Sequence, residues 1–309
     1  MSTLIIPIHL DALYLKAPKE VIGAKADFSR LPYFNKEKKI DVNSDIANIS
    51  ENVLSQPFQS HSLQLEAGFH LHWALPDLLT AGKLEKNDKG EKLVYPNVPD
   101  RWLITRINGK NQKQWVVESN FLQKEGSNNM EDGISFPLSD HERGSSGQPF
   151  RYMGRQIDLS EKDTLEGTHQ YYGNLTALGY GDPSFGAFYP ECHSVFGCHD
   201  PLNETLAGTI EYEVIGWYNR PEQDYFAQTL IEINNSKEVS SLKGGEKTTA
   251  IAEALLNNLN ISAELSDNLP TNLLCYGRLI LEDGILKNTQ DTLPTIEKIA
   301  IGNTATEAL

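Results

Sequence analysis

The chain reads as mainly β, an α+β protein with few helices, whose antiparallel sheets carry long aromatic-rich covering loops and one helix near 246–259. Three observations predict this. Apolar and polar residues alternate through Gly68-Phe-His-Leu-His-Trp-Ala-Leu-Pro76 and again from Thr209 to Tyr218, which is the period of a strand with one buried face. Asn108-Gly109 separates two β-favouring runs, Trp102 to Ile107 and Gln114 to Glu118, as in a hairpin. Clear helical spacing occurs where Ile251, Leu255 and Leu259 recur among strong helix formers.

The remaining elements follow in chain order. Leu4 to Leu15 is an apolar, β-favouring stretch broken by Pro7 and Asp11. Ser62 to Glu66 and Phe69 to Leu75 suggest two arms about Ala67-Gly68, with a single turn starting at Pro76. Lys83 to Lys92 interleaves four lysines with three acids around Asp88-Lys-Gly, the pattern of a solvated hairpin tip. Phe136 to Pro201 is rich in Gly, Pro, Ser and Tyr and reads as loops laid over a sheet. Leu273 to Leu281 is a further strand. Composition shifts near Gln223 to Gly245, which divides the chain into a β-rich part, 1–225, and a smaller helix-plus-strand part, 226–309.

A hydrophobic fraction of 39% is enough for a sizeable core, and 22% charged residues are ordinary for a folded protein. The 27 basic against 42 acidic residues give a formal net charge of −15. That field repels nucleic acid and anionic bilayers, so neither is expected as a partner. The N-terminus has no basic region followed by an apolar core, so no signal peptide is read and synthesis in the cytoplasm is expected. No window approaches the roughly 20 apolar residues of a membrane helix. The three cysteines, Cys192, Cys198 and Cys275, are too few and odd in number for a disulfide framework. At the other end, Ile299 to Leu309 runs from a strand-like stretch into an apparent helix start and stops, so a longer polypeptide is expected.

Two constellations carry metal-ligating residue types. His70 and His72, at i and i+2 of one strand, share a face and are spaced to chelate one ion. A third ligand is missing from the local sequence; His61, Asp77 and Asp100 are the nearest donors, and a cupin-like Glu is replaced by Leu75 and Pro76. The competing reading is two histidines on a polar strand face, hydrogen-bonded to loops. Cys192-His193 and Cys198-His199 repeat soft donors six residues apart, too far for one zinc knuckle and with no second pair. Two semi-buried thiols flanking a loop that ends at Asp200-Pro201 are the simpler reading. Gly144-Ser-Ser-Gly147 lacks the strand and helix of a nucleophile elbow. Tyr171, Tyr172, Tyr180, Phe185, Phe188 and Tyr189 suit sugar stacking, but loop aromatics also pin loops to sheets. Trp73, Trp102, Trp115 and Trp217 sit in strand segments and read as core. No catalytic set and no cofactor is expected.

A series of motifs points elsewhere. Gly68-Phe-His-Leu-His-Trp-Ala-Leu-Pro-Asp77, Pro96-Asn-Val-Pro-Asp-Arg-Trp-Leu-Ile-Thr-Arg106, Trp115-Val-Val-Glu-Ser119, Leu178-Gly-Tyr-Gly-Asp-Pro183, Tyr189-Pro-Glu-Cys-His-Ser-Val-Phe-Gly197, Val214-Ile-Gly-Trp-Tyr218 and Ile301-Gly-Asn-Thr304 occur in that order. The series resembles the N-terminal region of large uncharacterised bacterial proteins linked to gene clusters for extracellular contractile injection systems, which are phage-tail-like particles. The resemblance implies a structural subunit, in or near a baseplate-associated cage or shell, that contacts itself and other particle subunits and leaves the cell with the particle. It carries over no catalytic residue. Arg101, Arg106, Arg151 and Arg155, with Tyr171, Tyr172, Phe188 and Tyr189, are the interface candidates. A metal-dependent enzyme built on His70 and His72, and a glycan-binding module, are the alternatives.

Overall fold

A computed structural model describes residues 2–21, 33–34, 40–41, 63–87, 90–122, 134–137, 150–160, 169–177, 196–202, 208–259 and 269–281. The chain starts with β1 (Ser2–Pro7) and continues past Ile8 as β2 (His9–Leu15). Short strands β3 (Lys19–Val21), β4 (Tyr33–Phe34), β5 (Ile40–Asp41) and β6 (Leu63–Leu65) precede β7 (Gly68–Ala74). A single turn, α1 (Asp77–Thr80), leads to the hairpin β8 (Lys83–Asn87) and β9 (Gly90–Val94). Next come β10 (Arg101–Asn108), β11 (Asn111–Leu122), β12 (Ile134–Pro137), β13 (Phe150–Asp158), β14 (Gln170–Tyr171) and β15 (Gly197–Asp200). The described chain ends with β16 (Ile210–Trp217), α2 (Tyr225–Asn235), α3 (Lys237–Ser240), α4 (Gly244–Leu259) and β17 (Pro270–Leu281).

The fold is mainly β, with antiparallel and mixed sheets. The large sheet runs β1-β17-β16-β10-β11-β13-β12, with β14 added beside β11, and β1 is parallel to β17. A three-stranded antiparallel sheet, β15-β7-β2, lies over one of its faces. The contact between them is aromatic. Trp73 meets Trp102 at 5.2 Å between ring centroids, and Phe69 meets Tyr212 edge-on at 5.7 Å. Both sheets alternate as a half-buried strand must. Phe69, Leu71 and Trp73 point into the core from one side; Trp102, Ile104, Tyr212 and Val214 meet them from the other. Burying each such side chain contributes roughly 1.5–3 kcal/mol.

Pro7 marks a transfer between sheets. Ile6, Ile8, Leu10 and Ala12 all stay buried while the strand leaves β17 and joins β7. At the crossing, Ile8 and Leu10 pack onto Gly277, where any side chain would collide with them. Asn108 pairs with Asn111, so the hairpin turn is the two residues Gly109-Lys110, and Gly109 takes the positive φ of 62° that such a turn requires.

The helix expected near 246–259 is present as α4, and Ile251, Leu255 and Leu259 form its buried stripe. It packs with α2 against the end of the same core, through Phe226, Ile233, Leu273 and Cys275. Asp224 fixes this corner: its carboxylate accepts from the backbone N–H of Phe226 and Ala227, capping α2, and from Leu273 of β17. Because β17 lies between β1 and β16, a division at 225/226 would run through one continuous sheet.

Three local expectations are corrected. β6 does not pair with β7 as the second arm of a hairpin; it pairs with β3, and β7 is flanked by β2 and β15. The stretch 136–201, read as loops, contains the nine-residue strand β13 together with β14 and β15. Trp73, Trp102 and Trp115 are core, but Trp217, one residue out of phase with Gly216, is only half-buried on the opposite face of the sheet. The expected terminal fragment boundary at 299–309 and the Gly144–Gly147 loop lie outside the described residues.

Candidate functional site

The alternation of β7 turns His70 and His72 outward, opposite the buried Phe69, Leu71 and Trp73. Antiparallel register sets Asp11 beside His72, Leu13 beside His70, and His199 of β15 on the other side of His70. The outer face of the small sheet therefore gathers His9, Asp11, His70, His72 and His199. His70 and His199 stack with ring centroids 4.4 Å apart and planes 14° apart. Their Nε2 atoms bond to consecutive backbone carbonyls: His70 to Glu66 at 2.8 Å, His199 to Ala67 at 3.0 Å. His9 Nε2 stands 3.4 Å from Asp11 Oδ1.

Burial lowers the His70 pKa below its ordinary value, with the neighbouring His199 ring adding to this and the bond to Glu66 opposing it. Partial desolvation also lowers that of His72, against the pull of Asp11. Among the described residues, no group of three or more His, Cys, Asp or Glu is placed to hold a metal ion. His70 and His72 do share a face, as their spacing requires, but the third donors weighed from sequence do not join them. Asp77 begins α1, Asp100 is buried among Arg101, Asn120 and the backbone N–H of Asn219, and His61 lies outside the described residues.

Cys198 and His199 point to opposite faces of β15, because adjacent strand residues must. The Cys198 thiol is interior, and burial raises its pKa well above the ordinary value, with Asp200 adding to the shift. Cys275 is buried too, and its pKa is likewise raised by desolvation first. A thiol held protonated in an apolar interior is neither nucleophile nor ready ligand. Cys192 and His193 lie outside the described residues, as do Phe188 and Tyr189.

Between the sheets sits a carboxylate that no sequence motif marks. Asp200 is fully buried, and its Oδ2 accepts from Arg106 Nη1 at 2.5 Å and from the Tyr212 hydroxyl at 2.8 Å. Asp200 Oδ1 accepts from the Leu202 backbone N–H. Burial, then the Asp200 charge, drives the Tyr212 pKa upward, so the phenol stays a donor. Gln156 of β13 seals the neighbouring edge: its Nε2 donates to His199 O at 2.6 Å and its Oε1 accepts from His199 N at 2.8 Å. The large sheet thus holds β15 through both a side chain and a main chain.

A second polar cluster lies on the far face of the large sheet. Glu118 accepts from Arg155 Nε at 2.5 Å and lies 3.3 Å from Arg101 Nε; Tyr171 donates to the same carboxylate. Arg101 spreads over the Tyr171 ring at 4.7 Å, and Arg155 over Phe121 at 4.0 Å. Arg101 is 5% exposed and Arg106 2%, so neither guanidinium is presented to another chain. Their expected use as interface anchors does not fit this burial: Arg101 is turned to the cross-strand Glu118 and Arg106 to Asp200 of the other sheet. Tyr171 and Tyr172 are half-buried, pinned to β11 through Phe121 and through the Tyr172 N–H bond to Asn120 O.

No single-residue pattern marks Asp200, Glu118 or Gln156 in the sequence. The one available signal was phase: Arg106 and Tyr212 fall on the apolar side of alternating strands, where an ionised group demands a partner. No family model, curated protein or solved structure matches the chain. No helix among the described residues is long and apolar enough to cross a membrane.

Proposed function

We propose that the chain is a structural subunit of a contractile injection particle, part of a baseplate-associated cage or shell, working through contacts with further copies and with other particle subunits. The observation that carries this reading is the motif series from Gly68 to Thr304, which resembles proteins of that class along most of the chain. The chemistry of the described residues is compatible with it. The imidazoles of His70 and His199 are committed to turn carbonyls, both described thiols are buried, and Asp200 and Glu118 are paired with Arg106 and Arg155. In this reading these side chains serve geometry. In this reading the subunit needs no cofactor, contacts neither nucleic acid nor membrane, and leaves the cell with the released particle.

Electron microscopy of particles from cells lacking the gene tests this. Loss of a defined density at the baseplate end is the expected result. Particles unchanged in outline and subunit content would contradict it.

A further inference from the structure

We propose that the stacked His70–His199 pair is a proton-operated catch on β15, closed while the two rings share no more than one proton and released when both are charged. The geometry fastens β15 from two sides at adjacent residues. Outward, His199 stacks on His70, and both rings grip the turn at Glu66 and Ala67. Inward, Asp200 is held by Arg106 and Tyr212, and Gln156 grips the His199 main chain. The turn can sit this close only because residue 68 is glycine. Gly68 has φ +133°, and a Cβ there would run into the Asp200 backbone carbonyl.

Charging both rings sets two like charges 4.4 Å apart in a half-buried stack, which opposes the stacked arrangement. The groups facing the pair are few. Glu66, from the turn, favours a proton on His70 and the His199 ring opposes one, whereas Asp11 and His9 of β2 act on His72 further along the same face. Leu13, opposite His70 on β2, brings no charge, and the inward-facing Asp200 is matched by Arg106. Burial outweighs the favourable groups at His70. With β15 away, His70 loses the burial that lowers its pKa and binds a proton nearer the ordinary imidazole value of 6.5, whereas with β15 closed it does so only at lower pH. The catch is therefore fully closed above that value and weakens as the pH falls from it toward the closed-state pKa.

Hydrogen exchange on the full chain, corrected for the intrinsic rate, reads this out. Exchange in 197–200 is expected to speed about tenfold between about pH 7.5 and about pH 5.5, while β10 and β11 change far less. His70→Gln and His199→Gln place an amide nitrogen near the same carbonyls and take no proton, so each is expected to stay slow at both pH values. If one variant fails to fold, the other and the unmodified chain still decide. Exchange in 197–200 that ignores pH, or a folded Gln variant that accelerates like the unmodified chain, would overturn the catch.

Discussion

Arg106–Asp200 and Arg278–Glu211 are both Arg–carboxylate pairs with a shortest N–O separation of 2.5 Å, yet they sit in opposite surroundings. The side chains of the first are 2% and 0% exposed; those of the second are 50% and 19% exposed. Arg278 makes the richer contact, two N–H donors to both carboxylate oxygens, and this holds the Glu211 carboxyl below its ordinary pKa. Even so, water stands ready to solvate either partner if the other is removed. Asp200 has no such substitute: it joins β15 to β10 and β16 at a point water does not reach. Distance alone therefore says little about what a charge pair does in this molecule. Burial decides which partner is structurally indispensable.

Two substitutions sharpen the contrast. Asp200→Ala leaves Arg106 and Tyr212 facing an uncharged void and is expected to destabilise the fold by about 3–5 kcal/mol in urea unfolding. A change no larger than an ordinary surface substitution would show that the interior pair is dispensable. At the other extreme, Glu211→Gln is expected to cost no more than about 1 kcal/mol, and less at high salt than at low. A shift approaching that of Asp200→Ala would mean that burial is not the deciding variable.

The same variable separates what the sequence reveals from what it conceals. Period-two alternation announced β7 and β16, the Asn108-Gly109 pair announced the β10–β11 hairpin, and the Ile251, Leu255, Leu259 stripe announced α4, because each signal is local. The outward placement of His70 and His72 followed from the same alternation. Pairings between distant segments carry no local signature, so neither the partnership of β6 with β3 nor the placing of β17 beside β1 is legible in the sequence. Helix α2 is signalled only by the Asp224 cap taken together with its buried Phe226, Thr229 and Ile233, neither of which is distinctive alone. The site suffered most from this limit. His199 meets His70, and Asp200 meets Arg106, only because β15 arrives from far along the chain, 94 residues from Arg106 in the second case. Arg106 read as an interface anchor for want of a visible partner.

A cobalt(II) titration of the full chain at neutral pH, followed by visible absorption, tests most directly whether the imidazoles and thiols are scaffolding. Featureless spectra, with no stoichiometric endpoint, are the expected result. An intense ligand-field band saturating at one equivalent, and lost in His70→Ala or His72→Ala, would contradict it.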